Sequence, residues 1–371
     1  MMAREFGGIR NLKAPRAKER GPGGSRDRLR TARSPVYDPH ITGGLSVIRT
    51  PFRFPPAGRA SLLALPFLLL ACEAPEVDEG PELTDLPVPA LEALSASEPI
   101  PQDILPRDAP VRGVGVSARG ETLVLAVEED GVEGARFHSY YWSDEEGRWY
   151  DPVDIDFVDP DQGDAHPMLS YDQNLILFSS FRNPDQPGAA DYNIWLAPRQ
   201  GAVPGAEVVT HATFEAPRLL PAIHSPAYDG APAMAADGSL FFASERDGEG
   251  RNIWFSEYAD QNWGTPSRLG DEVNSAASDT EPFVPADRSY IVFASDRDGP
   301  WNLYLSREVN GVWSEAEPLE ALNTEADERS PALSFAGHVL FFVRDGEVFA
   351  VDAGEAGLPR GDEDADSSPA G

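Results

Sequence analysis

Short apolar runs separated by charged turns dominate the middle and the second half of the chain. The clearest example is Ile291 to Ser306, IVFASDRDGPWNLYLS, in which an apolar run, a charged turn and a second apolar run follow one another. The β-branched and aromatic residues Ile291 to Phe293 favour a strand, and Asp298 to Pro300 are residues that favour a turn. The pattern therefore predicts a β-hairpin.

The same layout recurs at a nearly constant spacing. The apolar residues that occupy equivalent strand positions lie 53, 64, 51 and 49 residues apart. Repeats of about 40 to 50 residues that contain several short strands are typical of propeller blades, which bury their faces only when neighbours stack on them. We therefore predict an all-β fold, a β-propeller of about five four-stranded blades. The equivalent positions are Leu125, Phe178, Phe242, Phe293 and Phe342.

Each repeat divides into four predicted strands. In the fourth repeat these are Glu281 to Ala286, Tyr290 to Ser295, Asn302 to Glu308 and Val312 to Glu320. The fifth repeat stops after three strands, so a segment near Glu98 to Leu105 is expected to supply the missing one. Four prolines are predicted to begin the first strands, where a missing N–H is harmless. They are Pro167, Pro232, Pro282 and Pro331.

Three stretches of the repeats carry a family resemblance. FASDRDGPWNLYLS, NWGTPSRLGDEVNS and SDTEPFVPADRSYIVFASDRDG together resemble the TolB-like β-propeller repeat family, which is widespread in bacterial envelope proteins. The resemblance implies a five-bladed propeller, with a degenerate sixth blade left open. It also implies a protein-binding or scaffolding role, with envelope proteins or peptidoglycan-associated complexes as partners.

Charge divides the chain into two parts. Residues 1–59 hold 13 Arg or Lys against 4 Asp or Glu, whereas the whole chain has a net charge of −32. The basic residues 1–46 lack periodic apolar positions, so they are predicted to be disordered, either as an extension or as a stretch ahead of a true start near Val47. Basic segments can bind nucleic acid, but an export signal follows this one, and no nucleic-acid partner is predicted.

An apolar run that follows basic residues predicts export. Ser61 to Ala71 is too short to span a bilayer and ends at Cys72, the one cysteine of the chain. Leu69 to Cys72 resembles the bacterial lipobox, which implies a signal peptide over residues 47–71, lipid attachment at Cys72 and a location in the cell envelope, at the periplasmic face of the outer membrane or the cell surface. The alternative is a buried apolar helix with an incidental cysteine.

The remaining boundaries follow from composition. Residues 72–108 are acidic and proline-rich, as expected of a tether that leads to the propeller at residues 109–353. Residues 354–371 are predicted to form a disordered acidic tail.

Motifs for catalysis or for cofactors are absent from the sequence. It contains neither G-x-S-x-G nor H-E-x-x-H, so we predict no enzymatic activity, no cofactor and no metal. The Asp and Gly residues of turns such as Asp296 to Gly299 resemble calcium loops, but hairpin turns need the same residue types. A glycosidase-like enzyme that acts on glycans or peptides at the channel mouth is the alternative.

Ligand sites of propellers lie where the loops before the first strands converge on the central channel. Recurrent carboxylates in these loops either pin the loop or bind a ligand, whereas residues that do not recur are better candidates for binding, because a structural need would recur in every blade. The recurrent residues are Asp164, Asp229, Asp279 and Asp327, and the others are His166, Glu281 and Arg329.

Overall fold

The structure is a computed structural model that describes residues 95–359, apart from gaps at 102–104, 106, 118–119, 132–133, 144–145, 147, 183–190, 201–212 and 335–337. The predictions for residues 1–46, the signal peptide, Cys72 and the end of the acidic tail lie outside the described residues. No helix in the described part of the chain is both long and apolar enough to cross a membrane.

Within residues 95–359 the chain forms five antiparallel sheets arranged as a ring, which confirms the predicted five-bladed propeller. In each blade the chain runs from an inner strand at the channel to the outer edge. The inner strands of blades 1 to 5 contact one another in that order, and the inner strand of blade 5 contacts that of blade 1.

The strands of each blade are as follows. Blade 1 contains β1 (Val111–Val116), β2 (Thr122–Glu128), β3 (Ala135–Ser143), β4 (Arg148–Trp149) and β5 (Val153–Asp154). A short 3-10 helix, Pro160–Gln162, leads to blade 2, with β6 (Ala165–Leu169), β7 (Leu175–Ser180), β8 (Asn193–Pro198) and β9 (Arg218–Leu219). Blade 3 contains β10 (Asp229–Met234), β11 (Leu240–Ser244), β12 (Asn252–Ser256), β13 (Tyr258–Ala259), β14 (Asn262–Trp263) and β15 (Ser267–Arg268). Blade 4 contains β16 (Asp279–Phe283), β17 (Tyr290–Ser295), β18 (Asn302–Val309), β19 (Val312–Trp313) and β20 (Glu317–Pro318). Blade 5 contains β21 (Glu328–Leu333), β22 (Val339–Arg344) and β23 (Glu347–Asp352).

The five equivalent apolar residues predicted from the repeat lie at the same place in every blade. Each is on the second strand, is completely buried, and pairs with a residue of the third strand. Their side chains contribute to apolar clusters that lie between neighbouring blades, one at each of the five junctions. Stacking of blades therefore provides the core, as expected for a repeat fold.

The segment before β1 covers the outer edge of blade 5. The N–H of Ser95 donates to Ala350 O at 2.8 Å, and that of Ile100 donates to Val348 O at 2.7 Å. Ile100 and Leu105 are buried in the core between blades 5 and 1. A closing segment was predicted here, and it occupies the edge with two backbone hydrogen bonds in place of a continuous ladder.

The folded region reaches beyond its predicted boundaries at both ends. Before residue 109, Arg107 places its guanidinium against the carbonyl oxygens of Ile100 and Leu105 and against the Glu347 carboxylate. After residue 353, Leu358 is buried in the core between blades 4 and 5.

Two details of the predicted strands differ in the structure. The prolines lie inside the inner strands, at a bulge where the ladder register shifts, so blade 4 begins its inner strand at Asp279 and not at Glu281. The fourth strand of blade 4 is broken into β19 and β20, which pair with different parts of β18. The fourth strand is also broken in blades 1 and 3. A proline, Pro152 in blade 1 and Pro266 in blade 3, comes directly before the second segment of that strand and has no N–H to donate to a ladder.

Candidate functional site at the channel mouth

A recurrent backbone distortion aims one side chain of each of blades 2 to 5 towards the channel. The residue before the bulge proline has a φ of 49 to 51° in all four blades. Such left-handed backbone is costly for residues other than glycine, and it persists where the surrounding structure enforces it. The four residues are His166, Ala231, Glu281 and Ser330. With Gly113 of blade 1 they line what we call the mouth, the end of the channel at which the inner strands begin.

The three non-recurrent residues predicted from the sequence come together at the mouth. Glu281 of blade 4 forms an ion pair with Arg329 of blade 5, and one of its oxygens lies 3.6 Å from Nε2 of His166 in blade 2. Its other oxygen accepts the N–H and the hydroxyl of Ser330, both at 2.8 Å. The residues lie on inner strands rather than in the preceding loops, and the network ties blades 2, 4 and 5 together.

The electrostatics of this network favour the charged form of Glu281. Burial alone would raise the pKa of Glu281, but the charge of Arg329 and hydrogen bonding with His166 outweigh it and hold that pKa well below its ordinary value. The carboxylate of Glu281 in turn raises the pKa of Arg329 despite the burial of the guanidinium. Glu281 is only 5% exposed and accepts three hydrogen bonds, which leaves little of it accessible to a ligand.

Ser179, His166 and Glu281 have the composition of a hydrolase triad, but not its accessibility. His166 Nδ1 lies 3.1 Å from Ser179 Oγ, while Nε2 faces Glu281. Ser179 is completely buried, and its Oγ accepts the N–H of Ala231 at 2.8 Å. A nucleophile must reach its substrate, so this serine serves to join blades 2 and 3 and to orient the imidazole.

Aromatic and arginine side chains form the rim of the mouth. The Arg329 guanidinium lies 4.4 Å from the centre of the Trp301 ring, and that of Arg251 lies 4.0 Å from the Tyr228 ring. Tyr192 contacts Tyr228 at 5.6 Å between ring centres and His166 at 6.1 Å. Burial raises the pKa of Tyr228 to about 12, so its phenol is neutral at physiological pH.

The recurrent aspartates lie inside the blades, where each is paired with an arginine. In blade 3, Asp229 Oδ1 accepts Arg246 Nη2 at 2.6 Å and Ser244 Oγ at 2.7 Å, and its Oδ2 accepts the N–H of Ser225 at 2.5 Å. Arg246 also donates to Ile223 O at 2.6 Å, in the loop from blade 2. We call this arrangement the carboxylate clamp, because it pins the incoming loop to the blade.

The clamp recurs in blades 2 to 5. Every carboxylate is completely buried. Every guanidinium also stacks on the phenylalanine at the equivalent position of the second strand in its own blade. These contacts explain the recurrence of the aspartates by packing rather than by ligand binding. The pairs are Asp164 with Arg182, Asp229 with Arg246, Asp279 with Arg297 and Glu328 with Arg344.

In blade 5 the clamp uses Glu328, whereas the sequence predicted Asp327 at this position. Asp327 is exposed, and its Oδ1 accepts the N–H of Trp301 at 3.0 Å. Arg344 follows Phe342 by two residues, whereas Arg297 follows Phe293 by four. The guanidinium therefore enters from a different point of the strand, and the longer glutamate side chain reaches it.

Further side chains take structural roles. The asparagine that begins the third strand of blades 2, 3 and 4 donates from its side chain to the backbone carbonyl oxygen two residues before it; in blade 4, Asn302 donates to Pro300 O at 3.2 Å. Within the described ranges there is no group of three or more His, Cys, Asp or Glu side chains that could hold a metal ion.

No family model and no curated protein sequence matches the chain at a significant level. Among solved structures it is similar to a candidate TolB of Agrobacterium tumefaciens (20% identity, 65% of this chain and 70% of that chain, TM-score 0.41). It is also similar to TolB of Acinetobacter baumannii (14%, 67% and 53%, TM-score 0.41) and to the sialidase of Trypanosoma rangeli (10%, 66% and 55%, TM-score 0.40). The propeller fold itself is established by the strand topology.

Proposed function

We propose that this protein is an exported lipoprotein whose propeller binds a partner protein of the bacterial cell envelope at the channel mouth. The observation that carries the proposal is the meeting of His166, Glu281 and Arg329 at the mouth, next to the partly exposed Trp301. Tryptophan, tyrosine and arginine are the residue types that contribute most binding energy at protein interfaces.

Anchoring through Cys72 fits the way the chain enters the propeller. The first described residue, Ser95, already lies against blade 5. The 23 residues from Cys72 to Ser95 can span at most roughly 75 Å, at about 3.3 Å for each residue. Such a tether keeps the propeller near the membrane and lets the mouth reach partners in the envelope. The resemblance to the TolB-like repeat family supports envelope proteins or peptidoglycan-associated complexes as the partner class.

Binding is favoured over catalysis by the chemistry of the mouth. A glycosidase needs two facing carboxyl groups about 5 to 9.5 Å apart. Among the described carboxylates that line the mouth, Glu281 stands without a second one; it accepts three hydrogen bonds, and His166 lies beside it. The net charge of −32 opposes nucleic-acid binding, which depends on positive charge.

Two experiments test the proposal. Fractionation of cells should find the wild type in the membrane and the Cys72→Ala variant released or unprocessed; absence of fatty-acid incorporation into the wild type would contradict the lipoprotein assignment. Affinity capture from an envelope extract should recover a partner with the wild type and much less of it with Trp301→Ala. Equal recovery with both would contradict binding at the mouth.

A further inference from the structure

Two aromatic side chains lie side by side on the outer edge of blade 1. Tyr150 follows the fourth-strand tryptophan, and its N–H donates to Tyr141 O at 2.8 Å. Blades 3 and 4 make the same backbone hydrogen bond at the equivalent positions, but between polar residues or glycine. The fold therefore does not require aromatic rings there, and the two tyrosines call for another explanation. The equivalent pairs are Glu257 with Gly264 in blade 3 and Arg307 with Ser314 in blade 4.

The two tyrosine rings are nearly parallel and leave much of each other's faces uncovered. Their planes are inclined by 10°, and their centres lie 6.3 Å apart. Rings in full face-to-face contact would have their centres about 3.5 to 4.0 Å apart, so a large part of each face is not covered by the other ring. Both side chains are half-buried, and their remaining surface faces solvent.

The sheet supports the tyrosines from behind and adds an exposed valine beside them. Val153 pairs with the residue two positions before Tyr141, so the two side chains lie on the same face of the blade. Val153 is 44% exposed. On the opposite face, Trp142 and Trp149 are buried in the core between blades 5 and 1. We call the surface formed by Tyr141, Tyr150 and Val153 the edge platform.

The charges beside the edge platform are matched to each other. Arg148 Nε donates to Glu146 Oε2 at 2.7 Å, and its guanidinium lies 5.3 Å from the centre of the Tyr150 ring. Arg148 thus occupies the position over this ring that a cationic ligand would need, while Glu146 repels an anionic one. Both side chains are exposed, and an exposed ion pair contributes little to stability, so the two groups are able to turn towards the hydroxyl groups of a ligand.

From this geometry we infer that the edge platform binds a neutral pyranose ring of a glycan. A pyranose face carries C–H groups, whose partial positive charge matches the negative face of an aromatic ring. The hydroxyl groups around the pyranose are uncharged donors and acceptors, which Arg148, Glu146 and the phenol groups can meet. The inference goes beyond the proposed function, because the platform lies at the end of β3 away from the mouth, where Tyr141 pairs with the first residue of β2.

Neutral and charged oligosaccharides test the ligand class. The full chain is titrated by isothermal calorimetry with cellotetraose and tetra-N-acetylchitotetraose as neutral probes, with tetragalacturonate as the anionic probe and with the chitosan tetramer as the cationic one. At least one neutral probe should bind saturably, with a dissociation constant at least about tenfold lower than those of both charged probes. Absence of saturable binding by both neutral probes, or equally tight binding of a charged one, overturns the inference.

Variants of the tyrosines identify the site, with melting temperatures measured alongside. Tyr150→Ser introduces the residue that blade 4 has at this position, so it should fold and should weaken binding of the neutral probe at least about tenfold. Tyr141→Ala should have the same effect, whereas Tyr150→Phe keeps the ring and should bind like the wild type. The control is Val312→Ala, at an exposed position on the equivalent hairpin of blade 4, which should also bind like the wild type.

Two results with these variants would contradict the edge platform. One is unchanged binding of the neutral probe by folded Tyr150→Ser. The other is a loss of binding in Tyr150→Phe as large as that in Tyr150→Ser, because the aromatic ring would then not carry the interaction.

The outcomes separate this inference from the proposed function. Trp301→Ala should leave binding of the neutral probe unchanged, and Tyr150→Ser should leave capture of the envelope partner unchanged. Loss of probe binding in Trp301→Ala would place the glycan at the mouth and overturn the edge platform, whatever happens to partner capture. Failure of partner capture would overturn the proposed function alone, provided that probe binding depends on Tyr150.

Discussion

The imidazole of His166 on blade 2 lies 3.6 Å from the carboxylate of Glu281 on blade 4, although blade 3 stands between them. The two side chains meet because blade 3 carries the short Ala231 at the equivalent position. All three residues share the same left-handed backbone, so the repeat supplies the direction of each side chain. The identity of the residue at each position then determines the chemistry of the mouth.

The stability of the mouth network should depend on pH through Glu281. Its folded-state pKa lies below the ordinary value of 4.5, so its ionisation stabilises the fold. That contribution is fully present above the ordinary value and is lost as the pH falls through the depressed one. In denaturant titrations from about pH 6 to pH 2, the free energy of unfolding of the wild type should exceed that of Glu281→Gln at the upper end and approach it as the pH falls.

The exposed Glu249→Gln serves as the control, since its carboxylate has no buried partner charge to lose. A difference between wild type and Glu281→Gln that stays constant, or that grows towards pH 2, would contradict the ionised network.

The carboxylate clamp should contribute strongly to stability. Arg297→Ala leaves the completely buried Asp279 without its counter-ion and removes a hydrogen bond to Val273 O, so it should lower the free energy of unfolding by about 3 to 5 kcal/mol in chemical denaturation. Arg307→Ala removes an exposed pair with Glu317 and should change stability little. An equal loss of unfolding free energy in the two variants would show that the clamp contributes no more to stability than an exposed ion pair.

Blade 1 depends on a glycine for its approach to blade 2. A Cβ atom on Gly115 would lie 2.7 Å from the carbonyl oxygen of Pro167, which belongs to the neighbouring inner strand. Gly115→Ala should therefore destabilise the protein by about 1 to 3 kcal/mol, because two backbones must move apart. Gly264→Ala, whose nearest atom is Glu257 O at 3.5 Å, is the control and should melt like the wild type. If Gly115→Ala also melts like the wild type, the inner strands of blades 1 and 2 are not packed as closely at Gly115 and Pro167 as described.

Closure of the ring should depend on Arg107. Its side chain is only 1% exposed and holds the closing segment through Ile100 O, Leu105 O and Glu347. Arg107→Ala should lower the melting temperature and speed proteolytic cleavage between Ser95 and Arg107, whereas Arg148→Ala, at an exposed pair on blade 1, should do neither. Unchanged cleavage in Arg107→Ala would indicate that the buried Ile100 and Leu105 suffice.

Much of the architecture could be predicted from the sequence because the repeated apolar positions are the ones that pack between blades. Phe242 and Phe293 recur with the blade period, since each must fill the junction with a neighbour, and both are completely buried. The strand Tyr290–Ser295 has the predicted bounds. The boundaries of the first and fourth strands were less predictable, because a proline inside a bulge and one that begins a strand look the same in a sequence.

The site was only partly predictable, for reasons of geometry. Non-recurrence singled out His166, Glu281 and Arg329 as candidates for binding, and the structure brings the three together, but nothing in the sequence indicated that the buried Ser179 and Ser330 hold them. The clamp arginines also escaped notice. A recurrent Phe-x-Ser-x-Arg pattern in blades 2 to 4 could have revealed them, while blade 5 has Glu328 in place of the aspartate and Arg344 only two residues after Phe342, which breaks that pattern.

The central claim is that the channel mouth is the surface that binds a partner. The most direct test is the dissociation constant of the captured partner for wild type, Trp301→Ala and Tyr171→Ala, with melting temperatures measured alongside. Trp301 stacks under Arg329 at the rim, whereas Tyr171 is exposed in the turn between β6 and β7, at the opposite end of an inner strand. The account predicts that Trp301→Ala weakens binding by at least about 30-fold, or 2 kcal/mol, and that Tyr171→Ala leaves it unchanged. Unchanged binding by Trp301→Ala, with the variant folded, would contradict it.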